Sequence, residues 1–299
     1  MIRSFKELFS SLKTEGREKI IVAGGEDIET LKALKDSYDY GFGEGILVGD
    51  KAKIEKSFSL LGESNFVKEI IGVKDDAEKA RRAVEKVKEG GILLKGKIKT
   101  AILLKAVLNK DWGLRTEKIV SDVFIFEDRR EENSKLVLMS DGGVNLKPDV
   151  NTLVAIIKNA VEVAHKLGIE NPKVALLAAV ETINPDMEET IKAGMISKMN
   201  ERKQITGCII DGPLALDSAI SEYAAQKKGI TSPVAGKADI LVVPDIAAGN
   251  IFGKALTYYA NYQVGHVLVG AKTPVIIPSR ADKSDVKLNS IALSILCSK

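Results

Sequence analysis

Two adjacent residues, Ser279 and Arg280, carry the clearest chemical signal in this sequence. They follow a short apolar run at 275–277. Buried parallel strands are short continuous apolar runs, and such sheets bind their ligands at the carboxyl ends of the strands. Arginine is always charged and can hold a phosphate through two hydrogen bonds, while a neighbouring serine donates one more. We therefore expect chemistry on an anionic substrate at this strand end.

Polar side chains follow three other predicted strands as well. They are Asp141 and Asn145 after 135–140, Asp211 after 205–210, and Asp245 with Gly249 and Asn250 after 240–243. Asp, Asn and Gly are also ordinary turn formers, which is the alternative interpretation. Three aspartates at strand ends would suit a divalent cation, but no histidine accompanies them, and we expect no metal.

Lys95 and Gly96 end a further apolar run, and Thr100 opens the helix predicted after them. A helix N-terminus beside a lysine is a natural anion site, although a solvated lysine before a turn would give the same pattern. Arg115 lies between the two predicted domains, where a ligand-facing arginine would be useful. Gly24-Gly25 lacks the remaining residues of a phosphate-binding loop, so a tight strand-to-helix turn is the favoured interpretation.

The composition limits the classes of protein to which the chain can belong. Of 299 residues 45% are hydrophobic and 28% are charged, as in ordinary globular proteins. A net charge of +3 and 5% aromatic residues do not suggest a nucleic-acid binder. No apolar run has the roughly 18 residues of a membrane span. Two cysteines make no disulfide framework, so we expect a cytoplasmic protein.

The order of apolar runs and helical patterns predicts an α/β fold with mostly parallel sheets. Predicted strands at 19–24, 45–48, 68–73 and 92–95 alternate with helices, after an amphipathic helix within 1–19. Two strands at 118–126 and 135–140, joined by the charged loop EDRREEN, then predict an antiparallel hairpin. We place a second domain at 118–269 and expect 1–117 and 270–299 to form the first.

Alternation resumes beyond the hairpin. We predict helices at 149–167, 187–199, 215–226 and 285–296, strands at 174–177, 205–210, 240–243, 264–269 and 275–277, and a small-residue turn ending at Gly249-Asn250 that opens another helix.

Seven segments, in order and spacing, resemble the phosphate acyltransferase family over nearly the whole chain. They are ILLKGKIKTAILLKAVL, WGLRT, SDGGVNLKPD, AAVETINPDMEETIKA, IDGPLALDSAIS, SPVAGKADILVVPDIAAGN and PSRADKSDVKLNSIALSI. The resemblance is to the butyryl rather than the acetyl subfamily. It implies two α/β domains with an interdomain cleft, like isocitrate and isopropylmalate dehydrogenases, and a last helix that returns to the first domain.

The same resemblance implies an activity. It is the reversible transfer of a short acyl group, butyryl, between coenzyme A and inorganic phosphate, in short-chain fatty acid metabolism. Coenzyme A is then a substrate, and no cofactor is expected. We also expect a homodimer or a higher homo-oligomer.

Roles for individual residues follow from the family. Ser279 would hydrogen-bond the reacting thiol or carbonyl, and Arg280 would bind phosphate. The acetyltransferases have a proposed catalytic aspartate seven residues after the serine; here that position is Val286, and Asp285 stands one place earlier. Where they have a phosphate-binding arginine, this chain has Lys105. Lysine keeps the positive charge but lacks the two-pronged guanidinium, which Arg115 would supply instead.

Three alternatives remain open. One is a phosphate acetyltransferase of the same family. Another is a dinucleotide-dependent dehydrogenase of the isocitrate type, which would need metal-binding aspartates and several substrate arginines. The last is a non-catalytic sensor of coenzyme A or acyl phosphate, which would not need the serine–arginine pair.

Overall fold

A computed structural model describes residues 1–12, 16–130 and 134–299. The chain divides into two units. The terminal unit comprises Phe5–Lys118 and Val264–Lys299, and the central unit comprises Met1–Ser4 and Ile119–Gln263. The domain division made from the sequence, with boundaries at 117/118 and 269/270, stays a prediction. Parts of the predicted N-terminal helix (13–15) and of the loop EDRREEN (131–133) lie outside the described residues.

The elements run in chain order as follows: α1 (Phe5–Leu12), β1 (Glu18–Ala23), α2 (Ile28–Asp39), β2 (Gly43–Gly49), α3 (Lys51–Leu61), β3 (Val67–Gly72), α4 (Asp76–Val87), β4 (Ile92–Lys95), α5 (Thr100–Val107), β5 (Ser121–Asp128), β6 (Lys135–Ser140), α6 (Val150–Lys166), β7 (Lys173–Leu177), α7 (Glu188–Glu201), β8 (Ile209–Leu214), α8 (Leu216–Ile220), α9 (Glu222–Lys227), β9 (Ile240–Val242), α10 (Ile246–Tyr258), β10 (Val264–Val269), β11 (Val275–Ile276) and α11 (Ser284–Ser298).

The sheet of the terminal unit has the strand order β3-β2-β1-β4-β11-β10. All neighbours are parallel except β10 and β11. From β1 the chain moves outward through β2 and β3, whereas β4 and β11 lie on the other side of β1. The direction of winding therefore reverses between β1 and β4, which is where open α/β sheets bind ligands.

Aspartates start the helices that follow the first three strands. Asp27, Asp50 and Asp75 are the N-caps of α2, α3 and α4, and each side chain accepts a backbone N–H from the first turn of its helix. Such caps satisfy donors that have no partner within the helix. The sequence therefore fixes where each connection leaves the sheet and where its helix begins.

The central unit has the strand order β5-β6-β9-β7-β8. β5 and β6 are antiparallel, which confirms the predicted hairpin, and the other neighbours are parallel. The predicted fold class, α/β with mostly parallel sheets, is confirmed. None of the described helices combines the length and apolar character that a membrane crossing requires.

Three local predictions in the central unit were wrong. The strand expected at 205–210 runs from Ile209 to Leu214, so Asp211 lies within a strand rather than after one. β8 is an edge strand, where Pro213 removes no necessary ladder hydrogen bond. The helix expected at 215–226 is two helices, because Ser221 has extended backbone angles and caps the second.

The third correction concerns Gly249 and Asn250, which lie inside α10 rather than in the turn before it. Asp245 starts this helix by accepting the Ala248 N–H at 2.8 Å, so α10 begins five residues earlier than expected. A side chain on Gly249 would meet the Gly142 Cα at 2.7 Å, so the close approach of the two backbones explains the glycine.

The last helix, α11, is buried on all sides over residues 286–295, although its predicted pattern was amphipathic. Two of its polar side chains have hydrogen-bond partners on β10, whereas the buried Ser294 hydroxyl has none among the described residues. Asn289 donates to the Val264 carbonyl, and the Ser290 hydroxyl accepts the His266 N–H, both at 2.8 Å. Buried polar groups are tolerated when they are hydrogen-bonded in this way.

Candidate active site

A cavity of about 700 Å³ opens in the terminal unit at the carboxyl ends of the parallel strands. Residues after β1, β4 and β11 and in the first turns of α3, α4 and α11 line it. Its lining consists of Glu26, Asp27, Ile28, Lys53, Asp76, Lys79, Lys95, Gly96, Lys97, Ile98, Lys99, Pro278, Ser279, Arg280 and Lys287. The cavity thus lies at the reversal of winding between β1 and β4, where the fold class binds its ligands.

Glycines hold together the two loops beneath this cavity. Gly24 has φ +86° and donates its N–H to the Val48 carbonyl at 2.8 Å, so the favoured interpretation of Gly24-Gly25 as a tight turn is confirmed. The Gly24 carbonyl accepts the Lys97 N–H at 2.7 Å, and a Cβ on Gly96 would lie 2.1 Å from that carbonyl oxygen. The loops after β1 and β4 can meet only because Gly96 has no side chain.

The cavity is strongly cationic. Seven of its lining residues are basic (Lys53, Lys79, Lys95, Lys97, Lys99, Arg280 and Lys287) and three are acidic (Glu26, Asp27 and Asp76). Basic residues in a cleft attract anions and raise their local concentration. A site of this kind suits a substrate that carries phosphate groups.

Lys79 and Glu26 form a buried ion pair at one side of the cavity. The Lys79 Nζ lies 3.0 Å from Glu26 Oε1 and 3.2 Å from Asp76 Oδ1. Burial lowers the pKa of Lys79, but hydrogen bonds to the two carboxylates outweigh it, and the pKa is raised. Glu26 Oε1 also accepts the Asp50 N–H at 2.7 Å, so this pair links α4 to the start of α3.

Asp27 and Lys287 form a second ion pair, at 2.8 Å, between α2 and α11. Asp27 also accepts the Thr30 N–H at 3.0 Å, so it caps α2 and binds the lysine with the same carboxylate. Burial raises the pKa of Asp27, but the hydrogen bonds from Lys287 and Thr30 prevail and hold it below its ordinary value.

Lys95 lies at the last position of β4 and is 3% exposed. Its Nζ donates to the Pro278 carbonyl at 3.4 Å. Burial lowers the pKa of this amine, and the nearby positive charges of Lys287 and Arg280 lower it further, against the opposing effect of Asp27 and Asp282.

Ser279 and Arg280 are exposed in a turn just beyond β11. Asp282 shapes this turn, because its Oδ2 accepts the Ser279 N–H at 2.7 Å while its own N–H donates to the Ser279 carbonyl at 3.2 Å. Both residues line the cavity beside the carbonyl that Lys95 contacts. The chain therefore presents a hydroxyl, a guanidinium and a buried amine to one space.

Of the residues predicted for the site in this unit, Lys95, Gly96, Ser279 and Arg280 line the cavity. The others do not: Thr100, Lys105, Arg115 and Asp285 are exposed outside the lining. Asp285 lies in the first turn of α11, and its carboxylate accepts the Val286 N–H at 2.8 Å. The catalytic role of Asp285 and the binding roles of the other three stay predictions.

The remaining predicted residues belong to the central unit. Its loop after β6 and the start of α10 meet, since the Ile246 N–H donates to the Leu146 carbonyl at 3.1 Å; this brings Asn145 near Asp245, Gly249 and Asn250. Asn145 donates to the Val120 carbonyl at 3.0 Å. Asp211 is on β8, and its carboxylate accepts the N–H of Gly212. Their substrate-binding roles stay predictions.

Asp141 has a structural task in this unit. Its carboxylate accepts the N–H groups of Gly143 and Val144 and lies beside Asn145. Burial and the charge of Asp122 raise the pKa of Asp141 despite these hydrogen bonds. Turn formation accounts for this aspartate.

A second cavity, of about 330 Å³, lies in the central unit near the starts of β6 and β7. Its charged groups largely pair with one another: Lys135 with Asp239 at 2.7 Å, Arg130 with Asp128 at 2.6 Å, and Lys237 with Glu222 at 3.3 Å. With four basic and three acidic residues, its excess of positive charge is smaller than that of the cavity in the terminal unit.

Sequence reasoning missed eight charged residues of the cavity lining, and it missed Asp282 in the turn beside them. The eight are Glu26, Asp27, Lys53, Asp76, Lys79, Lys97, Lys99 and Lys287. Asp27 and Asp282 had a recognisable signal, because Asp27 directly precedes a helix and Asp282 stands three residues after Ser279 in a turn. The two ion pairs had none, since their partners are 53 and 260 positions apart in sequence and only the folded sheet brings them together.

Comparison with known proteins gives consistent results. The sequence profile described as "Phosphate acetyl/butaryl transferase" matches residues 68–295. A phosphate butyryltransferase from Clostridium acetobutylicum is 44% identical over 99% of this chain and 98% of its own length. A phosphate acetyltransferase from Thermotoga maritima is 42% identical over 93% of this chain and 94% of its own.

A solved structure is also similar. It is a branched-chain phosphotransacylase from Enterococcus faecalis V583, with a TM-score of 0.84 and 33% identity, and the match covers 94% of this chain and 99% of that one.

Proposed function

Because the chain belongs to the family of phosphate acetyl/butaryl transferases, and so is an acyltransferase, we propose that it moves a butyryl group between coenzyme A and inorganic phosphate. The reaction is butanoyl-CoA + phosphate = butanoyl phosphate + CoA. The dehydrogenase alternative is set aside by this membership. The observation that best supports the proposal is the position of Ser279 and Arg280 at a cation-lined cavity.

The charges and hydrogen-bond donors at the cavity meet the requirements of acyl transfer between coenzyme A and phosphate. Both substrates are anions, and the excess of basic side chains at the cavity reduces the repulsion between them. Arg280 binds the phosphoryl group, and its charge stabilises negative charge that develops on the acyl oxygen. Ser279 donates a hydrogen bond to the reacting carbonyl or thiol. One such donor to an oxyanion contributes roughly 3–4 kcal/mol to transition-state stabilisation.

No energy-coupling cofactor is part of this proposal. A thioester and an acyl phosphate have similar transfer potential, so the reaction proceeds in either direction once both substrates are held together. Orientation alone accounts for about 7–11 kcal/mol of the barrier in well-aligned reactions. A covalent intermediate on the enzyme is not needed.

The direct test is to incubate the purified chain with butyryl-CoA and phosphate and to follow free thiol with a colorimetric reagent. We expect thiol release that requires phosphate and stops when sulfate replaces it. Release without phosphate would indicate a thioesterase instead. Tight binding of butyryl-CoA with no release would favour the sensor alternative.

Acetyl transfer is the second candidate, favoured by the likeness to the Thermotoga maritima acetyltransferase. The same assay with acetyl-CoA separates the two. A homo-oligomeric state and a cytoplasmic location also belong to the proposal. Light scattering on the purified chain tests the oligomeric state, and fractionation of the producing cells tests the location.

A further inference from the structure

Three lysines that line the cavity of the terminal unit are buried: Lys79, Lys95 and Lys287 are 6%, 3% and 3% exposed. Lys79 pairs with Glu26 and Asp76, and Lys287 pairs with Asp27. Within the part of the chain that the structure describes, no carboxylate lies within ion-pair distance of the Lys95 amine. A buried ammonium without a counter-charge is costly, so this environment shifts the protonation equilibrium of Lys95 toward the neutral amine.

Lys95 also lies close to the serine–arginine pair. It ends β4, beside β11, and its Nζ donates to the carbonyl of Pro278, the residue directly before Ser279. A backbone carbonyl accepts a hydrogen bond from an amine in either protonation state, so this contact orients Lys95 without fixing its charge. The amine faces the same cavity as the serine and the arginine.

We propose that Lys95 is the proton shuttle of the acyl transfer, a role that rests on the proposed function. In the direction that consumes acyl phosphate, the neutral amine takes the proton of the CoA thiol. The sulfur attacks the acyl carbon, the C–S bond forms, and the bond from that carbon to the phosphate oxygen breaks. The Lys95 ammonium then gives the proton to the departing oxygen, which leaves as HPO₄²⁻. The reverse reaction uses the same steps in the opposite order.

The charges around Lys95 suit this task. Burial lowers its pKa from the ordinary value of 10.5, Lys287 and Arg280 lower it further, and Asp27 and Asp282 oppose this shift. A base works best when its pKa approaches that of the group it deprotonates, and a thiol has an ordinary pKa of about 8.5. Lysines that are shifted in this way serve as general bases elsewhere.

Other candidates for the proton transfer fit less well. Asp285, to which the family likeness pointed, is exposed outside the lining. Asp27 lines the cavity, but its pKa is held below the ordinary carboxyl value, which makes it a weak acceptor for a thiol proton. Lys79 is raised in pKa by its two carboxylates and stays charged.

The test compares Lys95→Arg and Lys95→Ala with the unaltered chain in the direction from butyryl phosphate and CoA to butyryl-CoA. A proton shuttle is active only while the Lys95 amine and the CoA thiol together carry one proton. We therefore expect kcat/KM to rise with pH as the first proton is lost and to fall once both groups are deprotonated. Arginine keeps the positive charge but cannot give up a proton. We expect both variants to lose at least about 10²-fold in kcat/KM at pH 7.5 and to lack the alkaline fall.

Lys86→Arg is the matched control, because Lys86 is half-buried on α4, pairs with Glu69 and Glu89, and lies outside the cavity lining. It should keep kcat/KM and the bell-shaped profile. Circular dichroism and the Tm check that each variant is folded. If Lys95→Ala does not fold, Lys95→Met, which keeps the volume of the side chain, replaces it.

The inference is overturned if Lys95→Arg keeps kcat/KM within about threefold of the unaltered chain, or if either variant retains the alkaline fall. If Asp285→Asn loses the pH dependence and the Lys95 variants keep it, Asp285 rather than Lys95 is the general base. An unaltered chain with no transferase activity from acetyl to hexanoyl substrates would instead contradict the proposed function. The two failures are therefore distinguishable.

Discussion

Arg280 is the residue on which the proposed chemistry depends most. Its turn is fixed by Asp282, which accepts the Ser279 N–H, and no carboxylate neutralises its guanidinium among the described residues. A guanidinium held in this way keeps its charge and its paired donors for the ligand. The arginine should therefore act on the phosphoryl group and on the developing oxyanion.

Replacing Arg280 tests this role. We expect Arg280→Ala to lower kcat at least about 10²-fold, the scale for losing one transition-state contact. Arg280→Lys should recover little, because the planar fork is lost. Arg82→Ala, on the exposed face of α4, is the control and should leave kcat unchanged. A near-normal rate for Arg280→Ala would remove Arg280 from the mechanism.

At the scale of residues, the sequence predicted which polar residues stand at strand ends, but not which charged side chains pair with one another. Ser279, Arg280, Lys95 and Gly96 were each singled out because they stand at the end of an apolar run. They line one cavity because the carboxyl ends of parallel strands meet at one edge of a sheet. The pairing of Asp27 with Lys287 depends on how α11 packs against α2, which the spacing of the two residues does not encode.

At the scale of elements, the Asp27–Lys287 pair fastens α2 to α11, and Asp27→Asn tests its strength. Asparagine also caps helices, so the substitution removes the charge and leaves the cap. Lys287 is then a buried, unpaired charge. Because Asp27 is 31% exposed, we expect a loss of about 2–3 kcal/mol in unfolding free energy, below the range for fully buried pairs.

The pH dependence of this effect has a definite sign. The folded-state pKa of Asp27 is depressed, so its contribution is complete above the ordinary value of 3.8 and disappears as the pH falls through the folded pKa. Urea unfolding should show a constant gap between Asp27→Asn and the unaltered chain from pH 7 to about 5, which narrows only below pH 3.8. The control Asp39→Asn, in an exposed pair on the same helix, should cost at most about 1 kcal/mol. Equal losses for both would contradict the buried-pair argument.

The crossing of the loops after β1 and β4 gives another prediction at this scale. In Gly96→Ala the new Cβ would lie 2.1 Å from the Gly24 carbonyl oxygen, so the two loops must separate. We expect a loss of about 1–3 kcal/mol in unfolding free energy, as for overpacked sites, and a higher KM for phosphate. Gly72→Ala, where the nearest atom is 3.8 Å away, should change neither quantity. If Gly96→Ala folds and its KM for phosphate is unchanged, the contact between these two loops does not shape the phosphate-binding site.

At the scale of the whole molecule, the spacing of apolar runs predicted the fold class and the hairpin of β5 and β6 correctly. It did not predict the bounds of elements in which single polar residues or prolines depart from the apolar pattern. The strand predicted at 205–210 stops before Pro213, yet β8 contains this proline because the edge position needs no N–H there. The pattern of α11 did not show that the helix is buried all round, because polar residues such as Asn289 and Ser290 are buried with hydrogen bonds to β10.

Acyl-chain preference is a property of the whole active site, and it tests the proposed butyryl specificity. Each buried methylene contributes about 0.8 kcal/mol, so the two that separate acetyl from butyryl give about 1.6 kcal/mol, or roughly fifteen-fold in kcat/KM. This is a preference and not an exclusion, because a pocket that fits four carbons still admits two. The measurement is kcat/KM for acetyl-, propionyl-, butyryl-, isobutyryl- and hexanoyl-CoA with phosphate saturating. We expect a maximum at four carbons, with propionyl between acetyl and butyryl. A maximum at acetyl would refute the butyryl assignment and leave the transferase proposal intact, since Ser279, Arg280 and Lys95 act on atoms that all these substrates share.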